Sequence, residues 1–267
     1  MTDWNYKTGH RSVSQLQTMA SCGLSYRLER VDRVPTRTAA WFTQGTAVHE
    51  AVEAYERSGR TMLEEDILMA YDAAWDENMA KQEAKQPDHS MWIVGGKKSR
   101  EKDIEQRREL GRQQTIDYVD LNPPGADFRP IEMIPDEYGV EIGFELDFDG
   151  VKVVGFIDQI REMEGRDDLF PIDVKTGTKT PSDAYQMATY KIAIEEMTGR
   201  PVNYGYWWMC KEGGLSKPID LRNHTRDVVA GWYKALDTGI KNGVFLGNPG
   251  DACFTCLVKP HCSGVRA

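Results

Sequence analysis

Apolar positions recur along this chain with a period near 3.6 up to about residue 120 and with a period near 2 in the segment that follows. Leu16, Met19 and Ala20 share one face of a short helix that Ser12 or Ser14 can cap, and Gly23 stops it just after Cys22. Val48, Ala51, Val52 and Tyr55 give the i, i+3, i+4, i+7 spacing of an amphipathic helix over Gln44–Arg57. A third helical stretch, from about residue 60 to 86, carries Met62, Leu63, Ile67, Leu68, Tyr71 and Trp75, and Asn122-Pro123-Pro124-Gly125 ends the helical part. The period then changes. Tyr138 to Phe148 alternates, Asp149-Gly150 supplies a two-residue hairpin turn, and Val151 to Met163 runs back as the partner strand. Gly165 permits a turn into a strand over Phe170–Lys175. Ser182 is expected to cap a helix that runs to Gly199. Val202 to Met209 reads as an aromatic core strand, and a last helix covers about residues 226–240.

Candidate chemistry sits on these elements. Strand alternation brings Asp173 and Lys175 out on one side and turns Ile172 and Val174 to the other. A carboxylate beside a lysine at the end of a buried strand can hold a hard divalent cation and position a water for phosphodiester hydrolysis. An ordinary strand-end ion pair has the same three letters, so partners decide between them. In the preceding strand Val154, Phe156 and Asp158 share a face, and an acid on an otherwise apolar side is costly unless it is paired, hydrogen-bonded or coordinating. His49 lies in the first turns of its helix beside the apolar stripe. His49-Glu50 lacks the second histidine of a zinc-protease helix, since Glu53 stands in its place. Gln186 and Tyr190 are one turn apart on one helix face. Gly95-Gly96-Lys97-Lys98 opens a stretch containing Arg100, Lys102, Arg107, Arg108 and Arg112, interleaved with acids. It reads either as a solvated helix face or as a phosphate-contacting helix or gate. No nucleotide-binding P-loop occurs, which excludes an ATP motor of that type.

The 267 residues, 40% hydrophobic and 28% charged, suit a soluble globular protein with one large domain. No apolar run reaches membrane-span length, and Met1-Thr2-Asp3-Trp4 does not open a signal peptide, so a cytoplasmic protein without membrane contact is expected. A net charge of -9 argues against a uniformly basic surface and leaves room for a local basic groove. Of five cysteines, Cys210 stands alone and reads as structural. Cys253, Cys256 and Cys262 crowd the end of the chain, where Cys-x-x-Cys lets two thiolates reach one metal. Cys22 or His261 can complete the set, as an iron–sulfur cluster or as zinc, and spacing alone favours zinc.

In chain order the motifs are the serine-capped helix ending in Cys22, Gly45-Thr46-Ala47-Val48-His49, Gly155-Phe156-Ile157-Asp158, Asp173-Val174-Lys175-Thr176-Gly177, Gln186-Met187-Ala188-Thr189-Tyr190, Cys253-x-x-Cys256 and Cys262. Together they resemble the PD-(D/E)XK nucleases of the RecB type. The resemblance is nearest to the branch with a four-cysteine iron–sulfur cluster: the CRISPR-associated single-domain exonucleases, their phage relatives and the nuclease domain of AddB. It implies an α/β, restriction-endonuclease-like core, a central mixed β-sheet flanked by helices, in one domain over residues 1–267. It implies that His49, Asp158 and Asp173, with the Val174 carbonyl, bind magnesium or manganese. Lys175 would orient water or stabilise developing charge, and Gln186 and Tyr190 would support DNA. Cys22, Cys253, Cys256 and Cys262 would hold a [4Fe-4S] cluster, joining Cys22 to a cluster-binding tail at 248–267. The implied activity is a metal-dependent exonuclease acting on single-stranded DNA ends in recombination, repair or CRISPR-type processing; the alternative is a non-catalytic DNA-binding adaptor of the same fold. Three departures stand out. Glycine follows Cys22 where proline is common, Asp replaces the frequent Glu of the Asp-x-Lys motif, and the stretch between His49 and Asp158 is long. A helical insertion over 60–135 that covers or gates the DNA entrance is expected.

Overall fold

The computed structural model describes residues 6–134 and 137–265; the opening residues 1–5, the last residue of the expected insertion and the last two of the expected tail lie outside the described residues. In chain order the helices are α1 (Val13–Ser21), α2 (Gly23–Tyr26), α3 (Ala40–Arg57), α4 (Glu64–Lys85), α5 (Arg100–Leu121), α6 (Tyr185–Thr198) and α7 (Arg226–Lys241). The strands are β1 (Phe128–Pro130), β2 (Glu132–Ile134), β3 (Glu137–Tyr138), β4 (Val140–Phe148), β5 (Val151–Met163), β6 (Phe170–Lys175), β7 (Tyr204–Met209), β8 (Gly214–Leu215) and β9 (Ile219–Asp220). Two compact units result, one from residues 1–37, 143–155 and 224–267 and the other from 38–142 and 156–223, with the β4–β5 hairpin contributing to both.

In the first unit Ser12 caps α1, accepting the Gln15 N–H at 3.3 Å. The buried face of α1 differs from the one expected: Ala20 is exposed, and Gln15 is buried because its Oε1 accepts the Tyr26 hydroxyl at 3.0 Å. Burying an amide requires such a partner. Arg11 is also fully buried, 2.7 Å from Asp237 of α7, and Phe148 stacks on Tyr233 at 5.7 Å between centroids.

The second unit is built on a mixed sheet. β6 and β7 run parallel, joined by the α6 crossover, while β5 lies antiparallel to β6 and β1 antiparallel to β5. Ile172 and Val174 of β6 and Trp208 of β7 pack with Val48, Val52 and Tyr55 of α3, Tyr71 and Trp75 of α4 and Tyr118 of α5. Asp173 and Lys175 therefore emerge on the opposite face, toward α6, as strand alternation requires. Helix α3 starts four residues before the expected Gln44, and α4 begins at Glu64 instead of residue 60, with Glu64, Glu65 and Asp66 in its first turn where the helix dipole favours acids. Helices α4 and α5 approach closely at Gly111, where a Cβ would lie 2.2 Å from the Tyr71 hydroxyl.

Other expectations shift at turns. Ser182 does not cap α6: the helix begins at Tyr185, whose N–H is accepted by Asp183 at 3.2 Å, an Asx turn that holds the preceding residues irregular. The expected strand from Tyr138 to Phe148 is interrupted at Gly139, which is pressed between Ile131 and the Ile160 backbone, and Glu141 then adopts a left-handed φ of 51°. The aromatic strand β7 is core, with Trp207 and Trp208 buried, and Cys210 is buried with its thiol pushed up to about 12 by desolvation.

Candidate metal centre

β6, which lies between β5 and β7, carries the acid and the lysine at its end. Asp173, 1% exposed, has Oδ2 2.6 Å from Lys175 Nζ, an ion-pair distance without an aligned hydrogen bond to that oxygen. Its Oδ1 accepts from Gln186 Nε2, while Gln186 Oε1 accepts Lys175 Nζ at 3.1 Å and Gln186 Nε2 also reaches the Tyr190 hydroxyl at 2.8 Å. A lysine has only donors and an ionised aspartate only acceptors, so these two partners fix which way the Gln186 amide faces. Lys175 Nζ also lies 4.8 Å from the Trp207 ring centroid, on the residue that pairs with Asp173 across β6–β7.

α3 and β5 complete the cluster. His49 Nε2 is 2.8 Å from the Val174 carbonyl and Nδ1 is 3.2 Å from Asp158 Oδ2, which itself accepts the Val174 N–H at 3.0 Å. Glu141 joins them: one ligand atom each from His49, Glu141 and Asp158 lie within 4.8 Å of one another. Burial opposes charge on His49, but Asp158 and Asp173 outweigh it and raise the imidazole to about 9. Asp158 is held below the usual carboxylate range, burial being outweighed mainly by His49. Burial and then Asp158 push Asp173 upward. Burial, Asp158 and Glu53 raise Glu141 to about 7. The protonated imidazole thus bridges a carboxylate and a carbonyl, the position a cation would take. The donor set of carboxylate oxygens, a carbonyl and one imidazole suits a hard divalent ion, and the buried, unaligned Asp173 Oδ2 offers a further oxygen.

A family model described as the PD-(D/E)XK nuclease superfamily matches residues 10–263. The chain belongs to the PD-(D/E)XK nuclease superfamily. Among its relatives are the Gene 69 protein of Mycobacterium phage D29, 32% identical over 265 residues with 94% of this chain and 96% of that protein covered, and the Gene 69 protein of Mycobacterium phage L5, 30% identical over 291 residues with 98% and 99% covered. The mixed sheet with helices on both faces fits the restriction-endonuclease-like fold of that superfamily, whose nucleases use divalent metals. Among the described residues no helix is long and apolar enough to cross a membrane.

Of the residues the motifs single out in this PD-(D/E)XK chain, His49, Asp158, Asp173, Val174, Lys175, Gln186 and Tyr190 are brought into one bonded cluster. Glu141 escaped sequence reasoning, although a signal existed. Counting outward from Asp149-Gly150 in a two-residue hairpin sets Glu141 opposite Asp158, and like charges opposite each other on a sheet are unfavourable unless a cation lies between them. A second difference concerns Phe156. The face it shares with Asp158 is not an apolar core face, for Phe156 is 64% exposed.

Cys22, Cys253, Cys256 and Cys262 line one cavity of about 330 Å³ in the first unit, together with Ser25 and Asn248. Cys22 Sγ faces the Asn248 N–H at 3.4 Å, Cys253 Sγ the Gly250 N–H at 3.5 Å and Cys256 Sγ the Ser25 hydroxyl at 3.7 Å. Among the described residues no three of these sulfurs lie within 4.8 Å of one another. His261 is exposed and does not line the cavity.

Proposed function

We propose that the protein is a metal-dependent deoxyribonuclease of the RecB-like branch, an exonuclease acting on single-stranded DNA ends. The observation that carries this reading is the His49 imidazole joining Asp158 to the Val174 carbonyl beside the Asp173–Lys175 pair. His49, Asp158, Asp173 and the Val174 carbonyl would hold magnesium or manganese, with Glu141 at their side. The ion supplies Lewis-acid charge and a water of lowered pKa. The chain's own groups do the rest. Lys175 donates toward the attacking water or the phosphate oxygens, Gln186 keeps Lys175 and Asp173 in register, and Tyr190, its phenol held neutral by burial, backs Gln186. The exposed Phe156 ring supports a single-stranded substrate, since unpaired bases stack on aromatic faces.

In this reading residues 60–135 are a helical insertion at the DNA entrance of a single RecB-like domain, and 248–267 with Cys22 form a region that binds [4Fe-4S]. The four cysteines line one cavity of the first unit, which supports a shared metal group there. Cleavage of labelled oligonucleotides with manganese, and none with chelator, is the expected result; metal-independent cleavage or none at all refutes the enzyme. Substrates labelled at either end, with blocked termini, separate exonuclease from endonuclease. Anaerobic purification followed by iron, sulfide and zinc analysis tests the cluster, and stoichiometric zinc without iron or sulfide overturns it.

A further inference from the structure

Two glutamines buried beside the centre have no role in the chemistry above. Gln44 of α3 and Gln114 of α5 are 1% and 3% exposed. Gln114 Nε2 donates to the carbonyl of Thr176, the residue after Lys175, at 3.2 Å. Gln44 Nε2 donates to Gln114 Oε1 at 2.7 Å, and Arg107 donates to Gln44 Oε1 at 3.2 Å. A peptide carbonyl only accepts and a guanidinium only donates, so the two ends allow this chain of amides a single polarity. The outer end is a partly exposed arginine whose guanidinium lies 5.6 Å from the Trp41 ring centroid.

Arg107 differs from the other arginines of the basic stretch in how its charge is matched. Arg108 and Arg112 are matched by Asp72 and Asp76, and Arg100 by Glu83. Lys98 and Arg107 share one buried carboxylate, Asp103, at 3.1 and 3.6 Å, which leaves a positive surplus in a chain of net charge -9. Trp41 and His49 are eight residues apart, so they sit about 80° apart around α3 and about 12 Å apart along its axis. Between them Gly45 lets the helix backbone approach the Thr176 side chain, where a Cβ would lie 3.3 Å from its Oγ1.

We propose that Arg107 and Trp41 form a subsite for the DNA strand beyond the scissile phosphate, the guanidinium on a backbone phosphate and the indole under a base, and that Gln44 and Gln114 are positioning residues tying this subsite to the peptide after Lys175. This rests on the nuclease reading for the identity of the strand. A strand phosphate at Arg107 fixes the guanidinium, the amides fix the Thr176 carbonyl, and Lys175 is held on Asp173.

The test measures binding of a fluorescein-labelled oligothymidylate to full-length protein carrying Lys175→Ala, so that the strand survives. Arg107→Gln is expected to weaken binding tenfold or more at low salt and to reduce the log–log salt slope by about one. Arg107→Lys keeps the slope and loses part of the affinity, and Trp41→Ala loses about tenfold. Affinities within twofold of the parent and an unchanged slope overturn the subsite. With Lys175 restored, Gln114→Glu keeps the shape and the Gln44 contact but cannot donate to Thr176. It should lower kcat about tenfold at unchanged KM, whereas an unchanged kcat, or a loss confined to thermal stability, overturns the tie. Absence of metal-dependent cleavage by the unsubstituted protein sinks the nuclease reading alone, because the binding arms still report.

Discussion

The centre around β6 and the cavity around Cys22 are both candidate metal sites, but they are built differently. At β6 three of the potential ligands are already held by protein: Asp158 by the Val174 N–H, His49 by Asp158 and Val174, Asp173 by Lys175 and Gln186. Around Cys22 the described sulfurs have only weak contacts at 3.4 to 3.7 Å, and the wall is a loop with short 3-10 turns. A site whose ligands are satisfied by one another keeps its shape without an ion. A site lined by loosely held thiols depends on its ligand, and there binding free energy becomes folding free energy.

The largest effect should come from breaking the first site. Asp173→Ala and Lys175→Ala are each expected to lower cleavage by on the order of 10³-fold while the circular dichroism spectrum stays that of the parent. Retained activity in either variant, measured on labelled single-stranded DNA, would remove β6 from the chemistry. The second site should respond in stability. Cys256→Ser is expected to lower the thermal midpoint by more than about 5 °C, with hydrogen exchange rising first across residues 1–37 and 224–267. Unchanged exchange there would mean that the thiols carry no structural ligand.

A smaller effect separates the loops from the ligands. Space calls for glycine after Cys22: a Cβ on Gly23 would lie 2.7 Å from the Leu246 nitrogen and 3.0 Å from its oxygen, both backbone. The Leu24 N–H donates to that same Leu246 carbonyl at 3.3 Å. Gly23→Ala must push the two segments apart next to Cys22, at a cost of about 1–3 kcal/mol by chemical denaturation. A neutral substitution would show that the wall of the cavity yields freely.

What could be read from the chain follows the range of the interactions. Asp173 and Lys175 on one face, Gln186 and Tyr190 one turn apart, and Ser12 as a cap depend on residues a few positions away, and local periodicity reports them. Glu141 depends on hairpin register, which was available from Asp149-Gly150 but was obscured because the strand is broken at Gly139 and turned at Glu141. The Gln44–Gln114–Thr176 tie joins segments 70 and 62 residues apart, and no periodicity announces a buried amide. The same holds for Arg161, Glu56 and Tyr118, whose buried polar network links β5, α3 and α5. The basic stretch from Lys97 to Arg112 looked uniform along the chain, and only the positions of Asp72, Asp76, Glu83 and Asp103 separate matched cations from surplus ones.

The finest distinction between the two sites lies in protons. His49, raised to about 9, carries its proton at neutral pH, and that proton occupies the space between imidazole, Asp158 and Val174. A divalent ion can take the imidazole nitrogen only after the proton leaves, so binding at β6 should release close to one proton at pH 7.5. The affinity should therefore rise with pH up to about 9, by up to tenfold or about 1.4 kcal/mol per pH unit. Below about 7, where Glu141 also holds a proton, a second release should steepen the dependence. In the metal-free protein the sign is reversed: the His49 proton stabilises the fold fully below 6.5, and that contribution is lost as pH rises through about 9. Manganese titrations by calorimetry in two buffers of different ionisation enthalpy measure the release directly. Equal heats in both buffers would mean that no proton is displaced and that the ion, if it binds, does so without His49.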